Sequence, residues 1–325
     1  MNTDMFPGED LLRDAELGDS DALARLDSLG FLMTPGETAD SFVNRIRAMH
    51  LRALAFQEKT ADGKPYEVYR NIVLEESERI PDEIIDEAAL TTERLYAFSI
   101  RWVPGYFLSK GLGYLWGGCA LSDEEPDSVP VFIIRAAFKT ARKWFVYTRD
   151  ELLSHELCHA ARAPLKDRVF EEHFAYAGAT SRLRRYMGNC FQTDCDAVFF
   201  LFPILLLLAV QILVNLAGMA IPVWPFWILA FAYPVYLFCR NAKQRRLYFG
   251  AESRLRALGF GNPGAVLFRC STAEIEKIAH STMTEVRTWM NSLAGQEIRM
   301  KIILKRFLKG ETENGDDQRS NSVSG

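Results

Sequence analysis

Residues 148–164 read Thr-Arg-Asp-Glu-Leu-Leu-Ser-His-Glu-Leu-Cys-His-Ala-Ala-Arg-Ala-Pro. Within them His155-Glu156-Leu157-Cys158-His159 is an HExxH motif. The stretch specifies its own helix. Thr148 and Glu151 have the T-x-x-E spacing of a capping box, Leu152, Leu153, Leu157, Ala160 and Ala161 favour helix, and Pro164 stops it. On a helix, residues four apart lie on one face, so His155 and His159 aim two imidazoles at one point, as zinc requires. Glu156 then stands beside the ion, where it can take a proton from water. Cys158 precedes His159 by one residue and is turned about 100° off that face. It reads as a small buried hydrophobe. The alternative to a metal site is a surface helix carrying two histidines by chance.

Outward from this helix, residues 96–148 contain short β-branched and aromatic runs: Phe98-Ser-Ile-Arg-Trp-Val, Tyr114-Leu-Trp, Val131-Phe-Ile-Ile and Trp144-Phe-Val-Tyr. Glycines and the loop Ser122-Asp-Glu-Glu-Pro-Asp punctuate them. They predict a small sheet of three or four strands, with an aromatic strand from Lys143 to Tyr147 leading straight into the HExxH helix. On the other side, after one short loop, comes Phe170-Glu-Glu-His-Phe-Ala.

At this point residues 96–190 resemble the gluzincin metallopeptidases, which carry HExxH on one helix and a glutamate in an E-x-x-A setting on the next. The match is Glu172-His173-Phe174-Ala175. The resemblance implies His155, His159 and Glu172 as zinc ligands and Glu156 as general base. Glu171 is the second choice for the third ligand and His173 a weaker one. Neighbouring side chains on a helix diverge by about 100°, so one of the three points at the metal. Tyr176, Arg162 and Arg182 are near enough in sequence to hold an oxyanion, although Arg162 is better suited to bracing a carboxylate. Tyr147 and Trp144 are packing residues or the wall of a substrate groove. The pairing of an HExxH helix with a nearby apolar hairpin is also similar to the CAAX-prenyl endopeptidase group, with a different order: here the glutamate precedes the hairpin.

That hairpin is the second strong signal. Residues 197–239 carry no charged side chain. Residues 197–217 span roughly 31 Å as a helix and residues 221–239 roughly 28 Å, both near the hydrocarbon thickness of a bilayer. Arg182, Arg184 and Arg185 precede the first segment, Arg240, Lys243, Arg245 and Arg246 follow the second, and the turn between has none. The positive-inside rule predicts an integral membrane protein with two spans, both termini and the catalytic part cytoplasmic. Gln211 and Asn215 suit gluing the first span to a neighbour, and Pro225 and Pro234 suit kinking the second. One short apolar block cannot build a polytopic transporter.

The remainder predicts helix. Residues 1–95 form a helical module with a helix over 37–57, capped by Thr38, and another over 81–95 with Pro81 in its first turn. Residues 241–308 return to amphipathic helices, one from about Ala242 to Leu258. The basic helix 296–308 suits either an anionic membrane surface or a solvated face. Residues 309–325 are polar and predict a disordered tail. The fold class is therefore α+β: helical module 1–95, zincin-like domain 96–190, transmembrane hairpin 197–239, helical region 241–308 and tail.

Composition excludes other classes. Net charge is −4 and the pI near 5.9, which give no electrostatic reason for nucleic-acid binding. Six cysteines in 325 residues, none in a CxxC pair, make neither a disulfide scaffold nor a zinc ribbon. Residues 1–10 lack the basic and apolar regions of a cleavable leader. The expected function is a membrane-tethered zinc metalloendopeptidase acting on a peptide or protein near the bilayer. An inactive zincin-like scaffold or a structural zinc module anchoring a membrane partner are the alternatives.

Overall fold

The computed structural model describes residues 6–61, 65–69, 72–108, 117–121 and 130–309. In chain order the elements are α1 (Glu9–Glu16), α2 (Ser20–Ser28), α3 (Ala39–Ala61), β1 (Tyr66–Tyr69), β2 (Ile72–Leu74), α4 (Asp82–Tyr96), β3 (Gly105–Leu108), β4 (Gly118–Leu121) and β5 (Val131–Arg135). There follow β6 (Lys143–Trp144), β7 (Tyr147–Thr148), α5 (Arg149–Arg162), α6 (Glu171–Ala175), α7 (Arg182–Met187), α8 (Asp194–Ala217) and α9 (Trp224–Ala257). The chain closes with α10 (Pro263–Phe268), α11 (Thr272–His280), α12 (Met283–Ala294) and α13 (Ile298–Phe307). The architecture is mixed α+β and mainly helical. The Tyr114-Leu-Trp strand, the Ser122–Asp127 loop and nearly all of the polar tail fall outside the described residues.

The small sheet runs β3-β5-β4, with β3 parallel and β4 antiparallel to β5. All of β3 and most of β5 are buried, so the sheet is an inner layer with helices against it. Two strand expectations are corrected. Phe98–Val103 is extended but unpaired: its Ser99 N–H donates to the Ser28 carbonyl, and Trp102 Nε1 donates to Leu29, so its bonds go to the end of α2 and not to a ladder. Lys143–Tyr147 is not one strand but the hairpin β6–β7, turned at Phe145 with φ +52°. The β1–β2 hairpin was not foreseen in the helical module. Thr38 caps α3 as expected, its Oγ1 accepting the Ser41 N–H. Pro81 flanks α4 as its N-cap, one residue outside the predicted position.

One continuous buried cluster runs through the chain from Phe6 to Phe307. It includes Phe42 and Ile46 of α3, Leu153 and Leu157 of α5, Phe174 of α6 and Phe268 of α10. The basic helix α13 packs one face into it, while Lys301, Lys305 and Lys309 are exposed, in line with the solvated-face reading of residues 296–308. Arg299 is buried and pairs with Glu274, Lys305 pairs with Asp21 at 2.6 Å, and Arg306 pairs with Asp27. Three of its charges are thus paired within the molecule, and Met300, Ile302, Ile303 and Phe307 pin the helix to the core.

α8 is the one described helix long and apolar enough to cross a membrane, over Cys195–Ala217 with mean hydropathy 2.8 and only 17% of the segment buried. α9 packs beside it. The charge-free part of α9, from Trp224 to Cys239, gives roughly 24 Å of helix, short of a full hydrocarbon thickness. The predicted break before residue 242 does not occur: α9 continues from the apolar stretch through Arg240 to Ala257. No glycine or proline lies between Pro234 and Gly250 to interrupt it. Pro225 lies in the first turn of α9, where it starts the helix instead of kinking it, and only Pro234 is internal. Asn215 donates to the Gln211 backbone carbonyl of its own helix at 2.8 Å.

A polar lock joins the bases of α8 and α9. Asp196, nearly fully buried, accepts from Arg240 Nη2 at 2.7 Å and Tyr233 Oη at 2.6 Å, and from the backbone N–H groups of Gln192 and Thr193. Removing one partner of a buried ion pair strands the other charge. Asp196→Ala should therefore destabilise the fold by about 3 kcal/mol, read as a lowered thermal midpoint in detergent. An unchanged midpoint would mean that the pair is fully screened.

Candidate metal centre

The helix α5 runs Arg149–Arg162, a 3-10 turn over Ala163–Leu165 follows, and Lys166 reverses the chain in the left-handed region at φ +51°. That tight reversal lays α6 back against α5. Three donor atoms meet there: a nitrogen from each of His155 and His159 and a carboxylate oxygen of Glu172, all within 4.8 Å of one another. His159 Nε2 lies 3.0 Å from His155 Nε2 and 3.4 Å from Glu172 Oε1, and His155 Nε2 lies 3.6 Å from Glu172 Oε2. A tetrahedral ion bound at about 2.0–2.1 Å would set its donors roughly 3.3 Å apart. These spacings, and two imidazoles with one carboxylate as donors, fit a zinc-type ion.

Of the alternatives for the third ligand, neither Glu171 nor His173 reaches the point. Glu171 faces the outer nitrogen of the same ring, with Oε1 3.2 Å from His159 Nδ1. Its other oxygen accepts from Arg162 Nε at 2.9 Å. This carboxylate fixes the ring and leaves Nε2 directed inward, the arrangement that orients metal-ligating histidines. Arg162 is wholly buried, lies over the Phe174 ring at 4.4 Å, and donates to the carbonyls of Phe268 and Cys270. The expectation that it braces a carboxylate holds, and its burial removes it from the oxyanion candidates. His173 is buried among aromatic rings, its centroid 4.2 Å from that of Tyr248 on α9. Burial, with Arg245 nearby, pushes its pKa down to about 3, so the ring is neutral.

The capping box at the start of α5 is corrected. Thr148 is the N-cap by backbone geometry, but Glu151 does not turn back to its N–H. The carboxylate instead accepts from the Thr180 N–H at 3.1 Å and hydroxyl at 3.2 Å and pairs with Arg184 at 2.9 Å. Two donors from Thr180 and a guanidinium outweigh one local N–H. The result ties α5 to the segment leading into α7.

A cleft of about 210 Å³ opens on His155 and Glu156. Gly118 of β4, Tyr147 of β7, Tyr176 and Arg184 line it. Tyr176 stands edge-on to His155 with centroids 4.5 Å apart, and burial pushes its hydroxyl up to about 12, so it stays a neutral donor. Its ring lies so close over Gly188 that a Cβ there would fall 2.1 Å from it. Of the oxyanion candidates named from sequence, Tyr176 is at the cleft, whereas Arg182 is on the exposed face of α7 and does not line it. Arg184 is there instead, 4.7 Å over the Tyr147 ring. No spacing rule separates Arg182 from Arg184 in advance. Trp144 stacks under Arg135 at 4.3 Å and belongs to the packing, while Tyr147 does line the cleft.

Electrostatics around the donors are uneven. Burial, His159 and Arg184 hold the His155 pKa well below its ordinary value. Burial also works against charge on His159, but Glu171 and Glu172 together outweigh it and raise that ring well above the usual range. Burial pushes the Glu156 carboxyl up; the His159 ring and the Ala120 backbone N–H on β4 pull it partly back. Cys158 is buried in the core behind the histidines, as expected.

No protein-family model, curated protein or solved structure matches the chain. The reading of the site therefore rests on its geometry.

Two outcomes check it. Replacing His155 or His159 by Ala should abolish tight metal binding, and Glu171→Gln should weaken it by about 10–100-fold, read by competition with a chelator, and should also lower the thermal midpoint, because it takes the counter-charge from the buried Arg162. Unchanged affinity in Glu171→Gln would show that the ring needs no outer carboxylate. Separately, the neutral His173 binds a proton more weakly folded than unfolded, so its contribution to stability is complete above pH 6.5 and falls as pH drops towards 3. Between pH 7 and pH 5 the loss is about 2 kcal/mol. His173→Phe should flatten the stability profile across that window relative to wild type.

Proposed function

We propose that the chain is a membrane-tethered zinc metalloendopeptidase that hydrolyses peptide bonds close to the bilayer. The observation carrying this reading is the convergence of His155, His159 and Glu172 at the end of a cleft that also reaches Glu156. A structural zinc site is closed by four protein ligands, whereas a hydrolytic site keeps a position open. Three donors beside a cleft, with a carboxylate that is not one of them, suit the second.

Zinc held by these three residues would supply a Lewis acid and a water acidified to a pKa of about 7. The rest is done by the chain. Glu156 is buried, which raises its proton affinity and suits it to act as a base. The carboxylate takes the proton as water attacks the carbonyl and returns it to the departing amine. Tyr176 and Arg184 are the donors positioned to take charge developing on the carbonyl oxygen.

The membrane part of the reading has its own support. Val198, Phe199, Leu201, Phe202 and Leu205 on α8 are exposed, as are Trp224, Trp227, Ile228 and Phe231 on α9. A contiguous apolar surface of this kind needs a cover, and a bilayer around a hairpin of α8 and α9 supplies it. The arginine flanks set both termini and the metal centre on the cytoplasmic side. Tyr248, in contact with His173, is nine residues beyond Cys239, which puts the α6 helix roughly 14 Å from the apolar end of α9. Substrates anchored in the same membrane then meet the cleft at raised effective concentration.

The test uses the full chain reconstituted in vesicles with a membrane-anchored peptide substrate. Glu156→Gln should retain zinc and lose activity by about 10²–10⁴-fold. Equal cleavage by both proteins would refute the general base. No cleavage by either, with zinc bound, would favour the scaffold or structural-zinc alternatives. A reporter fused at Gly325 should read cytoplasmic, and an extracytoplasmic signal would overturn the topology.

A further inference from the structure

Beyond the metal centre, a second cavity of about 460 Å³ lies between α9 and α11. Cys239, Ala242, Lys243, Arg246 and Leu247 form its α9 wall, and Ala279 and His280 close it from the end of α11. The α9 residues fall at helical spacing along one stripe, so the two cations face the same space. Neither Lys243 nor Arg246 has an ion-pair or hydrogen-bond partner among the described residues, and both are exposed. This sets them apart from Arg240, locked to Asp196, and Arg245, stacked on Tyr186 and Phe249.

Their depth is fixed by α9 itself. The helix is unbroken from its apolar stretch through these positions. Measured from Arg240 at the polar lock, Lys243 is roughly 4.5 Å and Arg246 roughly 9 Å further along the axis. The headgroup layer on each side of a bilayer is roughly 5–8 Å thick. Both side chains are long enough to place their charges within that layer. Below them, towards the hydrocarbon side, the cavity wall is apolar at Cys239 and Ala242, and Leu247 lies just beyond Arg246.

We infer that this cavity is a phosphate site, filled by the headgroup of an anionic phospholipid, with Lys243 and Arg246 as its charge-bearing contacts and the apolar wall of α9 taking the start of an acyl chain. Two full positive charges outweigh the partial negative charge at the C-terminal end of α11. The inference rests on the membrane reading given above for α8 and α9. It adds a specific lipid contact to the cytoplasmic face of the hairpin, on a different side of α9 from the Tyr248 contact to the metal-centre helices.

The experiment uses the full chain in nanodiscs of phosphatidylcholine alone or with 30 mol% phosphatidylglycerol, followed by native mass spectrometry and thermal unfolding. The expected result is retained phosphatidylglycerol on wild type, a higher midpoint in the anionic discs, and about 30-fold weaker retention in Lys243→Ala/Arg246→Ala. Lys243→Arg/Arg246→Lys should keep the lipid. Equal behaviour of wild type and the alanine variant in both compositions would overturn the site. Inorganic phosphate is added to detergent-solubilised protein as a separate arm. A midpoint shift there equal to that given by the lipid would overturn the lipid assignment in favour of a free anion. A chain that stays in the supernatant without detergent would instead refute the membrane reading itself, an outcome distinct from a membrane-bound chain indifferent to lipid charge.

Discussion

A guanidinium without solvent contact organises this molecule. Arg162 is the last residue of α5, and burying its charge is costly unless every side of it is answered. Glu171 answers one side, the carbonyls of Phe268 and Cys270 another, and the rings of Phe174 and Phe268 cover its faces. Asp167, 3.8 Å away, accepts in turn from the backbone N–H and hydroxyl of Thr272. Through this one side chain the HExxH helix, the turn that follows it, the Glu172 helix and the start of α11 are held together. His159 inherits its orientation from Glu171. The candidate metal centre is thus the half-buried end of a buried polar network, and the network is what makes its geometry specific.

Much of the centre was legible in the sequence because its rules are local. HExxH on a helix needs only the 3.6-residue period; the 100° between adjacent side chains says that one of Glu171, Glu172 and His173 faces inward, and the choice of Glu172 among them came from the resemblance of its E-x-x-A setting. The parts that were not legible depend on partners far away in the chain. Glu151 looked like a capping residue, but Thr180 and Arg184 claim it. Arg184, not Arg182, lines the cleft because its guanidinium is drawn to Glu151 and the Tyr147 ring. Strand expectations suffered similarly. Phe98–Val103 has the β-branched and aromatic content of a strand, yet the Ser99 N–H and the Trp102 indole donate to the end of α2 and not to a ladder. The amphipathic pattern of α13 was plain, but not that Glu274, Asp21 and Asp27 would pair with Arg299, Lys305 and Arg306.

The apolar stretch was plain from composition, but its architecture was not. The charge-free run ends at Cys239, where a change of solvent is expected, and a change of helix seemed to follow from it. Backbone preference has no reason to break there, since the residues from Val235 to Phe249 all tolerate helix. α9 therefore carries one rigid axis from Trp224 to the core, where Tyr248, Ala251 and Leu255 are buried. The hairpin is not joined to the rest by a linker. Its orientation is fixed by the polar lock at Asp196 and by the packing of α9 on α6 and α11.

The Arg162–Phe268 bond joins residues 106 positions apart, with the whole hairpin between them. At about 5–20 residues per second of synthesis, roughly 5–20 s pass between the emergence of α5 and that of its carbonyl partners. Throughout that interval Arg162 has no buried seat, Glu171 has no fixed cation, and the His159 ring is free to turn. The hairpin leaves the ribosome inside the same interval. Biogenesis thus imposes an order: the apolar segment is delivered first, and the donor set becomes rigid only afterwards. A growing chain carries the motif long before it carries the constellation.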